Sequence, residues 1–171
     1  MGKYSYIKLF VCDIDGTLTD STVFYTEEGE ELKQFSHRDG RGFHLLREKT
    51  KIKTMWVTSE FGGINAARAK KLMGLGTLDY FADGSWDKGK IDKVKKVCED
   101  LNISMEEVAF MGDDTNDLDL LKAVRIAACP RDAHPEVRAV GYMKISSFNG
   151  GRGAVRDFID YLIGAGLCEL R

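Results

Sequence analysis

Short apolar runs alternate with segments of helical periodicity along almost the whole of this 171-residue chain. The apolar runs have the length of strands, and the segments between them repeat apolar residues every three or four positions. This alternation is typical of βαβ units, so we expect an α/β fold with a doubly wound, mostly parallel sheet and helices on both faces. The predicted strands are Ile7–Cys12, Lys53–Thr58, Leu78–Phe81, Val108–Met111 and Arg125–Ala128, and the predicted helices are Gly42–Lys49, Gly63–Met73, Lys88–Asn102, Asn116–Ala123 and Gly153–Ile163.

One segment interrupts the alternation. Thr22–Tyr25 and Leu32–Phe35 are short β-prone runs on either side of the polar stretch Thr26–Glu30, which predicts a β-hairpin. Because it directly follows the first strand, the hairpin, at about residues 20–36, should act as a flap over that strand's end. No linker is visible, and we expect a single domain over residues 1–171.

The first predicted strand ends on two carboxylates, Asp13 and Asp15, which are one residue apart. Their spacing gives them the same side parity on an extended chain, so both can reach one pocket. Two neighbouring anions repel each other unless a cation lies between them, which favours a hard metal such as Mg²⁺. A carboxylate can also attack phosphorus while a second one moves the proton, so this strand end predicts phosphoryl transfer.

Polar residues follow two further strands, and in a parallel sheet these ends share one edge. Thr58 and Ser59 offer hydroxyl groups suited to a phosphate oxygen. Asp113 follows the fourth strand and would complete the metal site, whereas Asp114 is either a further metal contact or a helix N-cap.

A lysine near the start of the third helix could neutralise a transferring phosphoryl group. We favour Lys88, although Lys90 is two residues away and the sequence does not separate them. Asp117 could orient that lysine through a charge-assisted hydrogen bond. Gly16 would free backbone N–H groups to bind the phosphate.

The order of these motifs resembles that of the haloacid dehalogenase superfamily. The matching residues are Asp13-x-Asp15-Gly16-Thr17, Thr58-Ser59, Lys88 and Gly112-Asp113-Asp114-x-x-Asp117. The resemblance implies that Asp13 is a nucleophile forming an aspartyl-phosphate and that Asp15 is the general acid and then the general base. It also implies Mg²⁺ bound by Asp13, the Asp15 carbonyl and Asp113.

The chain has no room for a cap domain, so we expect a capless member. Its hairpin, its His37–Gly42 segment and its Gly150–Arg156 tail resemble the 3-deoxy-D-manno-octulosonate 8-phosphate phosphatase subfamily. That resemblance implies a homotetramer whose tails reach a neighbouring site. Arg38, Arg152 and Arg156 could then bind the carboxylate of a sugar acid.

One position departs from that subfamily. Octulosonate phosphatases typically have Thr-Gly-Arg at the second motif, whereas this chain has Thr58-Ser59-Glu60. Glu60, together with Lys71, resembles the nonulosonate 9-phosphate phosphatases that act on sialic-acid-type substrates. We therefore favour a nine-carbon 2-keto-3-deoxy sugar acid phosphate as substrate and keep the eight-carbon octulosonate 8-phosphate as the alternative.

Composition limits the other classes of function. A formal net charge of −2 with dispersed Lys and Arg argues against a nucleic-acid partner, and no apolar run approaches the length of a membrane span. Four unpaired cysteines and the lack of an export signal favour a cytoplasmic setting.

Two functions of other classes compete with catalysis. A phosphoacceptor receiver domain also has a doubly wound sheet and clustered aspartates, but its paired acids and its phosphorylated Asp lie on different strands. A non-catalytic tetramerisation module would not need Asp13, Asp15 and Asp113.

Overall fold

The computed structural model describes residues 6–84 and 89–171. In chain order the strands are β1 (Leu9–Asp13), β2 (Phe24–Tyr25), β3 (Glu31–Leu32), β4 (Lys53–Val57), β5 (Tyr80–Ala82), β6 (Val108–Met111), β7 (Ile126–Cys129) and β8 (Lys144–Ile145). The helices are α1 (His37–Lys49), α2 (Gly63–Gly74), α3 (Gly89–Leu101), α4 (Leu118–Ala123), α5 (Pro135–Arg138) and α6 (Ala154–Gly164). Short 3₁₀ turns at Met105–Glu107 and Thr115–Asp117 lead into β6 and α4.

Within the described residues, six strands form one sheet in the order β5–β4–β1–β6–β7–β8, and every neighbouring pair is parallel. The acidic strand β1 lies between β4 and β6, with Cys12 beside Trp56 on one side and Met111 on the other. The carboxyl ends of these three strands therefore meet at one edge of the sheet, where doubly wound folds bind ligands.

Strand β1 is buried along its whole length because both faces of the sheet are covered. Phe10 and Cys12 pack into one core with α1, α2 and α6, whereas Leu9 and Val11 pack into a second core with α3, α4 and α5. The alternation follows from the two-residue period of a strand. The predicted doubly wound fold is thus confirmed.

The first helix is longer than predicted. It begins at His37 rather than Gly42, because the Ser36 side chain accepts hydrogen bonds from the backbone of Arg38 and Asp39 and caps the helix. Gly42 allows close packing: a Cβ there would lie 3.0 Å from Ile159 Cδ1 of α6, and that side chain would have to shift by a few tenths of an ångström. The sequence analysis also missed β8, whose two residues are too few for a recognisable pattern.

The hairpin lies within the predicted residues 20–36, but its second strand is Glu31–Leu32 rather than Leu32–Phe35. Strands β2 and β3 are antiparallel, with Phe24 opposite Leu32, and form a separate two-stranded sheet. All four residues of these strands are exposed, including Phe24 at 61% and Tyr25 at 67%. The hairpin therefore contributes little to the two cores.

The described helices are all too short or too polar to cross a lipid bilayer. All four cysteines are buried and free, at Cys12, Cys98, Cys129 and Cys168. They pack as small apolar side chains, in agreement with the absence of paired spacing in the sequence.

Candidate active site

The polar ends of β1, β4 and β6 surround one cavity of about 250 Å³. The parallel pairing of these strands explains the convergence, because Asp13, Thr58 and Asp113 each come at or just after a strand's carboxyl end. The lining residues are Asp13, Asp15, Ser21, Thr58, Ser59, Glu60, Lys90, Asp113, Asp114 and Asn116.

A buried lysine bridges two aspartates at the floor of this cavity. Lys90 Nζ lies 2.7 Å from Asp13 Oδ1 and 2.8 Å from Asp117 Oδ1, and all three side chains are at most 6% exposed. Burial alone would lower the pKa of Lys90, but the two carboxylates outweigh that effect and raise it. Lys90 is therefore a fixed cation next to Asp13.

The sequence favours Lys88 for this position and leaves Lys90 as the alternative. Lys88 lies outside the described residues, and Lys90 is the second described residue of α3. Asp117 binds Lys90, in the way that the sequence analysis expected it to bind Lys88. The sequence alone does not separate two lysines that are only two residues apart.

Asp117 also shapes the loop after β6. Its Oδ2 accepts hydrogen bonds from the backbone N–H groups of Asp113, at 3.0 Å, and Asp114, at 3.4 Å. The Asp114 side chain accepts from the Thr115 N–H and caps the 3₁₀ turn, which is the N-cap alternative for this residue. Thr17, just after Gly16, donates its hydroxyl to Asp113 Oδ1 at 3.0 Å. Asp113 is thereby held against the loop that follows β1.

The carboxylates of Asp13, Asp113 and Asp117 each place an oxygen within 4.8 Å of the others. Burial, reinforced by the charge of Asp117, raises the pKa of Asp13 well above its usual range and that of Asp113 to about 7. Both oxygens of Asp117 accept hydrogen bonds, Oδ1 from Lys90 and Oδ2 from two backbone groups, so Asp13 and Asp113 are the carboxylates best able to bind a cation. Clustered carboxylate oxygens suit Mg²⁺.

Gly16 lies in the loop that follows β1, directly against the Asp113 carboxylate. Its φ of +96° favours glycine, and a Cβ at this position would overlap the Asp113 carboxylate. Its N–H donates to Thr19 Oγ1 at 3.3 Å, so in this conformation it is not free for a phosphate.

The glycines of the tail pack directly on this loop. A Cβ on Gly150 would overlap the Gly16 carbonyl oxygen, and the Gly151 N–H donates to the Thr17 carbonyl at 3.0 Å. The sequence analysis did not anticipate this contact. Both glycines are buried, so close packing rather than an exposed loop explains them.

Three donors among the described residues hold Asp15. Its Oδ2 accepts from Thr58 Oγ1 at 3.2 Å and from Asn65 Nδ2 at 2.9 Å, and its Oδ1 accepts from Lys33 Nζ at 2.8 Å. Lys33 also forms an ion pair with Glu60. Burial alone would lower the pKa of Lys33, but its bonds to Asp15 and Glu60 raise it overall.

Lys33 and Asn65 are site residues that the sequence analysis missed. Lys33 is in the hairpin and Asn65 in the first turns of α2, so neither follows a predicted strand end. Ser59 Oγ accepts from Asn116 Nδ2 at 3.1 Å, a contact that joins the loops after β4 and β6.

Of the five predicted specificity residues, Glu60 alone lines the cavity of this chain. Lys71 is exposed in the last turn of α2. Arg152 binds Asp20 at 3.0 Å and Arg156 binds Asp160 at 2.8 Å, while Arg38 is exposed at the start of α1.

Comparison with known proteins gives consistent relatives. A family model for haloacid dehalogenase-like hydrolases matches residues 81–159. The 3-deoxy-D-manno-octulosonate 8-phosphate phosphatase of Escherichia coli (strain B / BL21-DE3) is 32% identical over 165 residues, which are 95% of this chain and 82% of that protein.

Solved structures of phosphatases with the same name also match this chain. The crystal structure of the octulosonate 8-phosphate phosphatase from Yersinia pestis matches with a TM-score of 0.84 at 30% identity, over 93% of this chain and 82% of that one. The enzyme of the same name from Moraxella catarrhalis, crystallised with a magnesium ion, a phosphate ion and KDO, matches with a TM-score of 0.84 at 29% identity, over 95% of this chain and 89% of that one.

Proposed function

Because this chain belongs to the haloacid dehalogenase-like hydrolases, we propose that it is a Mg²⁺-dependent phosphatase that hydrolyses 3-deoxy-D-manno-octulosonate 8-phosphate through an aspartyl-phosphate. It is a phosphoric monoester hydrolase, as its relatives are. The observation that supports this function best is the convergence of Asp13, Asp15 and Asp113 with a buried lysine around one cavity.

Asp13 is the nucleophile of the proposed reaction. It attacks phosphorus, an Asp13–phosphorus bond forms, and the bond from phosphorus to the sugar oxygen breaks. Lys90 offsets negative charge beside Asp13, in the role that the sequence analysis gave to Lys88. Asp117 holds Lys90 in place and does not itself contact the reacting atoms.

Asp15 is the general acid and base. It gives a proton to the departing sugar oxygen, and then takes a proton from the water that attacks the aspartyl-phosphate and releases phosphate. Thr58 and Ser59 bind the phosphate oxygens, and the Gly16 N–H joins them once it is released from Thr19 Oγ1. The Thr58 hydroxyl donates a hydrogen bond to Asp15 Oδ2. The general acid therefore lies next to a residue of the proposed phosphate site.

Mg²⁺ fits the donor set of this site. Asp13 is buried and Asp113 half-buried, burial raises the pKa of both carboxyl groups, and their hard oxygen ligands suit this ion. Asp13, the backbone carbonyl of Asp15 and Asp113 would hold it. When bound, the ion neutralises charge on the transferring phosphoryl group.

The choice of the eight-carbon substrate rests on the relatives. The sequence analysis favoured a nonulosonate 9-phosphate because of Glu60 and Lys71, but the octulosonate phosphatases match more than nine-tenths of this chain. Glu60 lines the cavity, so a nine-carbon substrate remains the second candidate. Lys71, Arg38, Arg152 and Arg156 stay proposed specificity residues, for a site completed by a second subunit.

A homotetramer would supply that second subunit. The exposed Phe24, Tyr25 and Leu32 of the hairpin give an apolar surface for such a contact. Each subunit would be the single domain of residues 1–171. Light scattering of the purified chain tests the subunit number.

Phosphate release measures the activity directly. With Mg²⁺, the chain should release phosphate from octulosonate 8-phosphate faster than from a nonulosonate 9-phosphate, and EDTA should stop it. Asp13→Asn should lose activity at least about a thousandfold while keeping its fold. A receiver domain or a non-catalytic module would release no phosphate over many turnovers.

A further inference from the structure

Lys33 connects the hairpin to two residues that line the cavity. It directly follows β3, where the strand residues are exposed, yet its own side chain is only 2% exposed. Its ammonium group donates to Asp15 Oδ1 at 2.8 Å and also pairs with the Glu60 carboxylate. Both acceptors line the cavity. The flap is therefore connected to the proposed general acid through one side chain.

The contacts of Asp15 divide between its two oxygens. Thr58, which follows β4, and Asn65, which is in α2, both donate hydrogen bonds to Oδ2. Among the contacts of the described residues, Lys33 is the donor that holds Oδ1. Without it, the carboxylate group would be fixed at one oxygen and free to turn about that contact. Orientation of this kind matters because a proton donor must lie within hydrogen-bond reach of the leaving oxygen.

Glu60 changes the electrostatic effect of Lys33. The Lys33 ammonium lies between two carboxylates, those of Asp15 and Glu60. The Glu60 carboxylate on the same ammonium cancels that charge, so the pair is neutral as a whole. Lys33 can then orient Asp15 without acting as a net positive charge.

We propose that Lys33 is a positioning residue that orients the Asp15 carboxylate for proton transfer, with Glu60 as its neutralising partner. This inference rests on the proposed phosphatase function. In the first step Asp15 passes its proton to the sugar oxygen as that oxygen leaves phosphorus for Asp13. In the second step the Asp15 carboxylate accepts a proton from the attacking water, and the Asp13–phosphorus bond breaks. Lys33 exchanges no proton in either step.

A comparison of two substrates, one with a poor leaving group and one with a good leaving group, tests this role. A sugar alkoxide leaves poorly without a proton, whereas 4-nitrophenolate leaves readily without one. Because kcat/KM reports the steps up to departure of the leaving group, Lys33→Met should lower kcat/KM for octulosonate 8-phosphate by about 10- to 100-fold. For 4-nitrophenyl phosphate the loss should stay below about threefold, and Lys33→Arg should restore part of the activity on the sugar phosphate.

Lys51→Met is the matched control. Lys51 also pairs with a glutamate, Glu169 at 2.5 Å, but it is 60% exposed and outside the cavity, so both esters should be unaffected. Three results for Lys33→Met would each overturn the inference: an equal loss of kcat/KM on both esters, a rise in KM without a change in kcat, or no loss of kcat/KM. If Lys33→Met does not fold, Lys33→Ala gives the same comparison, because alanine also removes the donor to Asp15. A wild-type chain inactive on both esters would instead contradict the proposed function and the inference with it.

Discussion

At the scale of single residues, the site is built around a lysine that is almost fully enclosed by acids. Lys90 is 2% exposed and contacts Asp13 and Asp117, while Asp113 lies close to both acids. Removing one partner of a buried ion pair leaves the other charges without compensation, which is far more costly than the pair is stabilising. Lys90 therefore supports both the fold and the nucleophile.

Substitution of Lys90 tests this assignment. Lys90→Met should lower the free energy of unfolding by about 3 to 5 kcal/mol and reduce kcat at least about a hundredfold. Chemical denaturation and steady-state kinetics measure the two effects, and Lys96→Met, an exposed lysine of the same helix, is the control. Full activity in Lys90→Met, with a loss in Lys88→Met, would return the catalytic role to Lys88.

The sequence predicts residues at strand ends much better than residues that reach the site from elsewhere. Asp13, Thr58 and Asp113 follow apolar runs, and the parallel sheet brings them together as expected. Lys33 and Asn65 contact Asp15 only because the hairpin and α2 fold against it. Such long-range contacts leave no local pattern, and polar residues of these types are common on surfaces.

At the scale of secondary-structure elements, the tail before α6 supports the loop that follows β1. Gly150 and Gly151 pack against the backbone of Gly16, Thr17 and Thr19, where no side chain fits. The sequence identifies these glycines as a loop but cannot show what they touch. The start of α1 at His37 instead of the predicted Gly42 has a different cause, the capping of the helix by Ser36.

The packing of the tail can be tested with two glycines. Gly150→Ala should destabilise the chain by about 1 to 3 kcal/mol, because the new methyl group must push the Gly16 loop away. Gly164→Ala is the control: it lies in α6 with open space around it, and should be neutral or stabilising by up to about 1 kcal/mol. Equal unfolding midpoints in denaturant for the two variants would contradict the account.

At the scale of the whole molecule, the alternating pattern was sufficient to predict the doubly wound sheet and its helix layers. Each of the predicted apolar runs overlaps a strand of the parallel sheet, and the resemblance to capless haloacid dehalogenase phosphatases is confirmed by the relatives. Substrate choice and subunit number depend on surfaces and on partner chains, so the sequence alone constrains them less.

Metal binding should couple to the stability of the whole fold. In the metal-free chain Asp113 has a pKa of about 7 against an ordinary value of 3.8. The folded state thus binds more protons than the unfolded state between these pH values, and its stability falls as the pH rises through this window. Mg²⁺ replaces the proton and should raise the melting temperature more at about pH 8 than at about pH 5.5.

Thermal unfolding after EDTA treatment, with and without added Mg²⁺, measures this difference. Asp113→Asn removes the carboxylate. In this variant the melting temperature should depend less on pH and should rise less when Mg²⁺ is added. An increase in melting temperature that is the same at both pH values would contradict the coupling.

Trapping of the covalent intermediate tests the central claim most directly. An Asp15→Asn variant given 4-nitrophenyl phosphate should form the aspartyl-phosphate but hydrolyse it slowly, since it lacks the base. Borohydride reduction followed by peptide mass spectrometry should then show homoserine at position 13, and none in an Asp13→Asn/Asp15→Asn double variant. Homoserine at another aspartate, or no reduced residue despite a burst of nitrophenol, would contradict the account.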